Sequence, residues 1–485
     1  MYIKKSGAPQ IKRSGMGIKM GMKKLIRREL STTQLITLGF LMAIITGALL
    51  LMLPCSSADG TVTPFVDCLF TSATSVCVTG LVVVTTATHW SFFGKLVILG
   101  LIQLGGLGII SFTTGLMIIL RKRITLRDRV LLEDSLNLDT LKGLVRFLKR
   151  IFKGTFVVEG IGALCYSFLF IPMFVERSGS AEGILRGIWY SVFHSVSAFC
   201  NAGIDLFGDS GVMPFAKNPW FNIVTMLLII LGGLGFIVWW DVIENGKKAV
   251  RGGYPLRKLF KRLRLHSKIT LVTTASLILM GAGFFFCLEY TNPDTIGSFT
   301  FPQKIMASFF QSVTLRTAGF STFSQSGLRV GSVVVCLFLM LIGGSSISTA
   351  GGIKTSTFAA LFLSTRMTIQ GKDHLVVFNR NIPHKTVQKA LAVSMVSILV
   401  FIAAVFALYM TEGGHMTDAA FETASAIATV GLSRDYTSRL HLAGKLIITL
   451  CMYLGRIGPI SLAIFFERKR HGEVIRYARE DITVG

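Results

Sequence analysis

Residues 76–81 read Val-Cys-Val-Thr-Gly-Leu, a short strip with one glycine lying between two long apolar segments. Altered copies recur at residues 200–204 (Cys-Asn-Ala-Gly-Ile), 316–320 (Arg-Thr-Ala-Gly-Phe) and 428–432 (Ala-Thr-Val-Gly-Leu). Each copy follows a half-length helical segment and precedes a long apolar one. Gly80, Gly203, Gly319 and Gly431 therefore hold equivalent places in four repeats. One such glycine reads as a turn or a close helix contact; four in the same context read as the quarters of one ring.

The chain has 485 residues, 51% of them hydrophobic, which a soluble protein with an ordinary surface does not support. A net charge of +25 raises the possibility of nucleic-acid binding, but the basic residues sit between apolar spans and not on one soluble face. Cys55, Cys68, Cys77, Cys165, Cys200, Cys287, Cys336 and Cys451 fall in or beside apolar segments without zinc-like or disulfide-like spacing, and read as small packing residues. The Lys- and Gly-rich start leads into an apolar run too long for a signal-peptide core.

A membrane helix needs about 20 apolar residues. Segments 33–53, 96–120, 155–175, 220–240, 269–290, 330–363 (interrupted), 390–410 and 446–466 meet or approach that length. Between the members of each pair lies a shorter stretch, 65–75, 184–199, 301–315 or 419–427, too short or too polar to span and read as a re-entrant half-helix. The expected fold is an all-α polytopic membrane protein of four helix–pore-loop–helix repeats, eight spans in all, around one pseudo-fourfold pore. The segmentation is a basic tail (1–32), repeat 1 (33–121), connector and repeat 2 (122–243), connector and repeat 3 (244–367), connector and repeat 4 (368–467) and a second tail (468–485). Lys and Arg crowd both tails and the connectors, whereas Asp59, Asp67, Glu176, Asp205, Asp209, Asp294, Glu412, Asp418 and Glu422 surround the strips. Both termini are thus expected in the cytoplasm, with every strip entering from outside. The connector at 121–153 has apolar residues at helical spacing and is either a plain interfacial helix or a docking element.

A bare cation crossing a bilayer must exchange its water shell for other oxygens, and a ring of backbone carbonyls supplies them. Exposing consecutive carbonyls to one axis requires backbone conformations that side chains obstruct, hence glycine. Val78, Thr79 and Gly80, with Asn201, Ala202 and Gly203, Thr317, Ala318 and Gly319, and Thr429, Val430 and Gly431, are the candidate ion ligands. The half-helices aim their negative C-terminal ends at this axis. Thr79, Thr317 and Thr429 can add hydroxyl oxygens, and Asp205 can concentrate cations at the mouth. Arg316 fits poorly beside a cation site and is expected to point away, neutralised by Glu422 or Asp205.

A second pattern follows each strip: Leu-Gly-Gly-Leu-Gly at 104–108 and 231–235, Leu-Ile-Gly-Gly-Ser at 341–345 and Leu-Gly-Arg-Ile-Gly at 454–458. Gly106, Gly233, Gly344 and Arg456 align. Close packing explains the glycines but not an arginine, which costs ~2.5–3.5 kcal/mol near the bilayer centre. Facing a passing cation, Arg456 would oppose it by about 4 kcal/mol at an effective dielectric near 20. In the third repeat the second helix is expected to break over 343–356, where Gly343, Gly344, Gly351 and Gly352 disfavour helix and Ser345, Ser346, Ser348 and Thr349 can satisfy exposed backbone. The other three are expected to continue as apolar helix. The break reads as a mobile gate whose carbonyls Arg456 can hold.

Together these residues resemble the Trk/Ktr/HKT superfamily of cation transporters, over residues 33–466. The eight-span layout is more similar to the Ktr membrane subunits than to the larger Trk branch. The resemblance implies a potassium filter at the four strips, a gating loop at 343–356 and Arg456 as its electrostatic counterpart. It further implies a plasma-membrane homodimer docked on a cytosolic, KtrA-like nucleotide-binding ring of RCK type that responds to ATP and ADP, so that nucleotide acts only through a separate subunit. Potassium against sodium, and symport with a second ion, stay open. The strips depart from Thr-Val-Gly-Tyr-Gly in every repeat, which implies fewer tight ion sites and weaker selectivity. An organic-solute transporter would favour inverted repeats, whereas here all four share one orientation. An intramembrane enzyme would need more than His194, the one well-placed histidine, which reads more simply as a polar residue of the second half-helix.

Overall fold

The computed structural model describes residues 32–108, 111–112, 114, 143–253, 255–372 and 374–458. Both tails, and most of the 121–153 connector, lie outside the described residues.

Among the described residues the regular structure is helical apart from a two-stranded hairpin, Val376–Val377 with Arg380–Asn381. Each repeat has an outer helix, a half-helix and an inner helix. In repeat 1 these are α1 (Thr32–Leu51), α2 (Phe65–Cys77) and α3 (Phe92–Leu107). Repeat 2 has α4 (Leu144–Ser178), α5 (Ser180–Cys200) and α6 (Pro219–Leu234), followed by α7 (Phe236–Arg251). Repeat 3 has α8 (Leu265–Glu289), α9 (Phe301–Thr314) and α10 (Val330–Leu341), then α11 (Thr355–Ile369). Repeat 4 has α12 (His384–Glu412), α13 (Met416–Ile427) and α14 (Leu442–Ile457).

Only the four outer helices are singly long and apolar enough to cross a membrane among the described residues. The inner helices run 12–16 residues and stop. Gly108 (φ 81°), Gly235 (φ 89°) and Gly458 (φ 89°) end three of them in left-handed backbone, and the chain turns by 99° between α6 and α7. This corrects the expectation that only the third inner helix breaks. The flanking residues stay apolar, so hydropathy runs on through a turn that only the glycine marks. The third break differs in length, not in existence: it spans residues 342–354.

The C-terminal parts of the half-helices are deeply buried, with Phe70–Cys77 and Phe193 to Cys200 almost wholly inaccessible. Their polar residues are what fix them. Ser72, Ser195 and Ser312 donate to the Ile44, Glu159 and Ile278 carbonyls of their own outer helices at 2.6, 2.7 and 2.8 Å. A Cβ at Gly47, Gly162 or Gly281 would collide with those same three hydroxyls, so a glycine one turn away lets each half-helix approach. The second half-helix begins earlier than expected, at Ser180, because Gly179 (φ 86°) reverses the chain and Gly183 and Gly187 let α5 lie directly on the backbone of α4 at Val175 and Ile171.

Two inner helices are capped by a glutamate from their outer helix. Glu289, buried, accepts from the Arg329 N–H (3.1 Å) and the Ser332 hydroxyl at the start of α10, and from Asn292 (2.6 Å) and Thr295 (2.8 Å). Glu412 accepts from the N–H groups of His441 (3.0 Å) and Gly444 (2.9 Å) at the start of α14. In repeats 1 and 2 the cap is local: Ser91 accepts from Gly94 N–H and Asn218 from Phe221 N–H. Glu289→Ala strands four donors at once, and is expected to destabilise the detergent-solubilised protein by ~3 kcal/mol, read as a lower thermal midpoint than Glu412→Ala, whose site is nearer solvent.

Candidate functional site

The four strips meet. A Cβ built on Gly80 lies 3.1 Å from the Cα of Gly203 and 3.3 Å from that of Gly431; one on Gly319 lies 3.1 Å from Gly203 and 3.2 Å from Gly431. The order around the ring is Gly80, Gly203, Gly319, Gly431. Each such Cβ would also strike the carbonyl oxygen preceding the next glycine: Gly80 on Ala202 (2.6 Å), Gly203 on Ala318 (2.7 Å), Gly319 on Val430 (2.5 Å) and Gly431 on Thr79. The absent side chains are the space those carbonyls occupy.

Backbone conformation repeats with the same register. The residue two before each glycine is left-handed, with φ of 56° at Val78, 59° at Asn201, 72° at Thr317 and 53° at Thr429, and each glycine is left-handed in turn. Four non-glycine residues in that region, all at one position, mark a conformation imposed by the fold. The N–H groups between them are tied back into the half-helices: Thr79 to Thr74 O, Ala202 to Ser197 O, Ala318 to Thr314 O and Val430 to Ser425 O, at 2.7–2.9 Å. Among the described residues no hydrogen bond ends on the Thr79, Ala202, Ala318 or Val430 carbonyl. Donors are consumed behind the strip and acceptors are left free, which is the chemistry that solvates a cation.

Hydroxyls brace each strip. Thr74 accepts from Gly80 N–H (2.9 Å) and Ser425 from Gly431 N–H (3.0 Å), while Ser197 donates to Ile204 O (2.6 Å) and Thr314 to Phe320 O (2.6 Å). These pairs were detectable in sequence as hydroxyl-x-hydroxyl: Ser72/Thr74, Ser195/Ser197, Ser312/Thr314 and Thr423/Ser425. Thr314 stands five residues before its glycine and the others six, so the third strip is one residue tighter.

Beneath the ring, the inner helices press on the half-helix ends: Gly105, Gly232 and Gly455 face the carbonyls of Val76, Phe199 and Ile427 so closely that no side chain fits. Arg456 follows Gly455 as Gly106 follows Gly105. Its guanidinium donates to Thr349 O (2.6 Å) and to Gly105 O, and forms no ion pair among the described residues.

The 342–354 loop crosses this level. Its stems pair as a parallel bridge between Ile342 and Ile353, closed by Gly343 N–H to Ile353 O (2.9 Å) and Thr355 N–H to Gly344 O (3.0 Å). Its tip docks on the broken helix of repeat 2, through Ser345 N–H to Gly233 O (2.9 Å) and Phe236 N–H to Ile347 O (2.9 Å). Thr349 donates its hydroxyl to Phe199 O (3.2 Å), and Gly351 lies against Thr429. Lys354, not singled out in the sequence, donates to Ala350 O (2.7 Å), so two cations hold adjacent loop carbonyls. Ser346 and Ser348 are partly exposed; Ser346 pairs with Ser356 (3.1 Å) and Ser348 with Ser345 O (2.7 Å). Gly352 (φ 66°) and a small cavity of about 30 Å³ flank the returning stem.

Arg316 is buried, as expected of a residue turned from the axis, but neither named acid neutralises it. Glu422 is engaged by Ser433 (2.7 Å) and Thr437, and Asp205 by Phe207 N–H (2.9 Å). Arg316 instead donates to Gly343 O (3.4 Å) at the loop's first stem. That carbonyl lies just past the end of its own inner helix, α10, and Arg316 forms no ion pair among the described residues. His194 sits in an aromatic cage, with Tyr166, Phe320 and Phe221 at 4.8, 4.8 and 5.0 Å between ring centres.

Residues 23–474 match a family described as TrkH, cation transport protein. The chain is 39% identical over 452 residues to the Ktr system potassium uptake protein B of Bacillus subtilis (strain 168), covering 93% of this chain and 96% of that one. It is 38% identical to the potassium/sodium uptake protein NtpJ of Enterococcus hirae, covering 96% and 99%. The crystal structure of the potassium transporter TrkH from Vibrio parahaemolyticus superposes with a TM-score of 0.68 at 17% identity, over 91% of this chain and 86% of that one, and shares the fold. The chain is a polytopic membrane protein and not an enzyme, and it belongs to the TrkH family of cation transport proteins.

Proposed function

We propose that this protein is the potassium-translocating membrane subunit of an uptake system of the Ktr kind, with the four strips as its selectivity filter and the 342–354 loop as its gate. The closed ring of glycines, each giving its side-chain space to the next strip's carbonyl, carries this reading. Passage of sodium belongs to the same proposal, since the Enterococcus hirae relative is named for both ions. Basic residues on α7 and α11, beyond the helix breaks, favour that side as cytoplasmic. A homodimer in the plasma membrane and a separate nucleotide-responsive RCK ring complete it; the Bacillus subtilis relative is named as one protein of a system.

The direct test is growth of a potassium-uptake-deficient strain on limiting potassium. The parent is expected to restore growth and each of Gly80→Ser, Gly203→Ser, Gly319→Ser and Gly431→Ser to lose it, or to lose discrimination against sodium, by about tenfold or more. Four variants present at normal level and indistinguishable from the parent would end the filter reading.

Gating has its own readout. Arg456 and Lys354 hold Thr349 O and Ala350 O, and Arg316 holds Gly343 O, all within one loop. Arg456→Ala removes both a barrier charge and a tether, so rubidium flux into liposomes is expected to rise several-fold, as it should on deletion within 345–350. Equal flux in both variants and the parent would remove the loop from the gating role.

A further inference from the structure

One face of α4 changes character between Lys153 and Phe156. Arg146, Lys149, Arg150 and Lys153 are exposed on that face, which then continues through the exposed Phe156, Ile161, Leu164 and Phe168. A membrane helix whose outer face passes from basic to apolar has its hydrocarbon boundary there, with the charges at headgroup depth. α7 meets α4 at this level. Ring atoms of Trp239 and Trp240 lie 3.5 and 3.6 Å from a Cβ placed on Gly154, Arg150 lies over the Trp240 ring at 5.6 Å, and its guanidinium pairs with Glu244 at 2.7 Å. These contacts run the two helices in opposite senses, which carries Lys247 toward the Arg146 turn. Past the crossing, Ile243, Lys247, Val250 and Arg251 are exposed at helical spacing, apolar and basic by turns, as on helices that lie against a bilayer surface.

Charge is unbalanced at this junction. Of the basic residues just named only Arg150 has an ion pair among the described residues, and both partners are about half exposed, so the pair is weak. Asp241, the other acid of α7, is buried and accepts from Arg264 N–H (2.9 Å) and from Asn245 (3.0 Å). An anion is wanted where the apolar face of α4 begins, and the neighbour already present at that depth is a phospholipid.

We propose that the α4–α7 junction binds the headgroup of an anionic phospholipid from the adjoining leaflet. Arg146, Arg150 and Lys247 hold its phosphate, Lys149, Lys153 and Arg251 flank it, and Glu244 is the internal anion that it displaces from Arg150. Its acyl chains lie along Phe156, Ile161 and Leu164. The far end of the lever is the loop: α7 begins at Phe236, whose N–H donates to Ile347 O at the loop's tip, one helical turn before Trp240. A headgroup bridging α4 and α7 therefore fixes the seat of that tip and favours the docked loop, a consequence that rests on the gate reading above.

The site is tested apart from transport. Detergent-solubilised protein is exposed to equal phosphatidylglycerol and phosphatidylcholine, repurified, and its retained phospholipid measured by native mass spectrometry. The parent is expected to retain phosphatidylglycerol over phosphatidylcholine by about fivefold or more, Arg146→Gln/Lys247→Gln to lose that preference, and Glu244→Gln to strengthen it about twofold. Lys385→Gln/Lys389→Gln, two exposed positions at the start of α12, is expected to leave it unchanged. The site fails if the α12 pair lowers the preference as much as the α4–α7 pair. It fails too if about 10 mM inorganic phosphate abolishes the preference where chloride of equal ionic strength does not, since the ligand is then a free anion. A parent without preference, with the α4–α7 pair still altering transport in cells, would assign the patch to a protein partner instead.

The coupling is read as rubidium flux in vesicles of phosphatidylcholine alone or with about 30% phosphatidylglycerol. The ratio of parent to Arg146→Gln/Lys247→Gln flux is expected to fall about threefold when phosphatidylglycerol is present. An unchanged ratio, with Arg456→Ala still raising flux, overturns the coupling and leaves the gate. If Arg456→Ala is without effect as well, the gate reading has failed and the coupling with it, while the lipid site stands or falls on retention.

Discussion

Backbone carbonyls can replace a cation's water only if something else takes up the donors beside them. That requirement shapes this structure from the axis outward. The N–H groups of the strips go back into the half-helices, at Thr74 O, Ser197 O, Thr314 O and Ser425 O, and hydroxyls of the same four residues hold the turn beyond. A half-helix able to do this must end at the axis and stay there. The serine bonds to Ile44, Glu159 and Ile278 hold three of them, with glycines at 47, 162 and 281 making room. The outer helices thus act on the strips at one remove, through hydroxyls two residues apart on one helix.

Departures from fourfold symmetry are concentrated where the ring meets the loop. Repeat 4 lacks the hydroxyl anchor, since Thr423 Oγ1 has no partner among the described residues, and carries Arg456 where repeats 1 and 2 have glycine. Repeat 3 has the tighter strip, Arg316 and the long break. These features are linked: Arg316 holds the first stem at Gly343, Lys354 and Arg456 the tip carbonyls, and the loop contacts the half-helix end of repeat 2 at Phe199 and the strip of repeat 4 at Thr429. A segment tied to so many neighbours by single hydrogen bonds, each worth about 1 kcal/mol net, is ordered when all are made and released when a few are lost.

The ring was legible because glycine at a fixed place in four repeats has a steric cause that survives any change in its neighbours. The left-handed turns at Val78, Asn201, Thr317 and Thr429 were not, because valine and threonine give no local hint of a conformation that only the fold enforces. Hydropathy overran the inner helices for a related reason: Phe236 to Trp240 is as apolar as α6, but it follows a 99° turn. The glutamate caps are not legible in the sequence because Glu289 is 40 residues from Arg329, and nothing in either stretch names the other. For Arg316, charge pairing suggested a carboxylate, while the strip's geometry delivered a carbonyl.

The same substitution of carbonyl for carboxylate explains how arginine can serve at Arg456. A carboxylate partner would cancel its charge and leave a neutral pair beside the pathway. Carbonyl partners solvate the guanidinium without cancelling it, so the full positive charge stays beside the loop as long as Thr349 O and Gly105 O are in reach. In the proposed gate the loop would do two things with one contact: narrow the path and keep the opposing charge in place. Were the loop to withdraw as proposed, Arg456 would lose one of its two acceptors, and a charge at this depth would then gain by turning toward water. Under that proposal barrier and constriction would be removed together, which a salt-bridged arginine could not achieve without also breaking an ion pair.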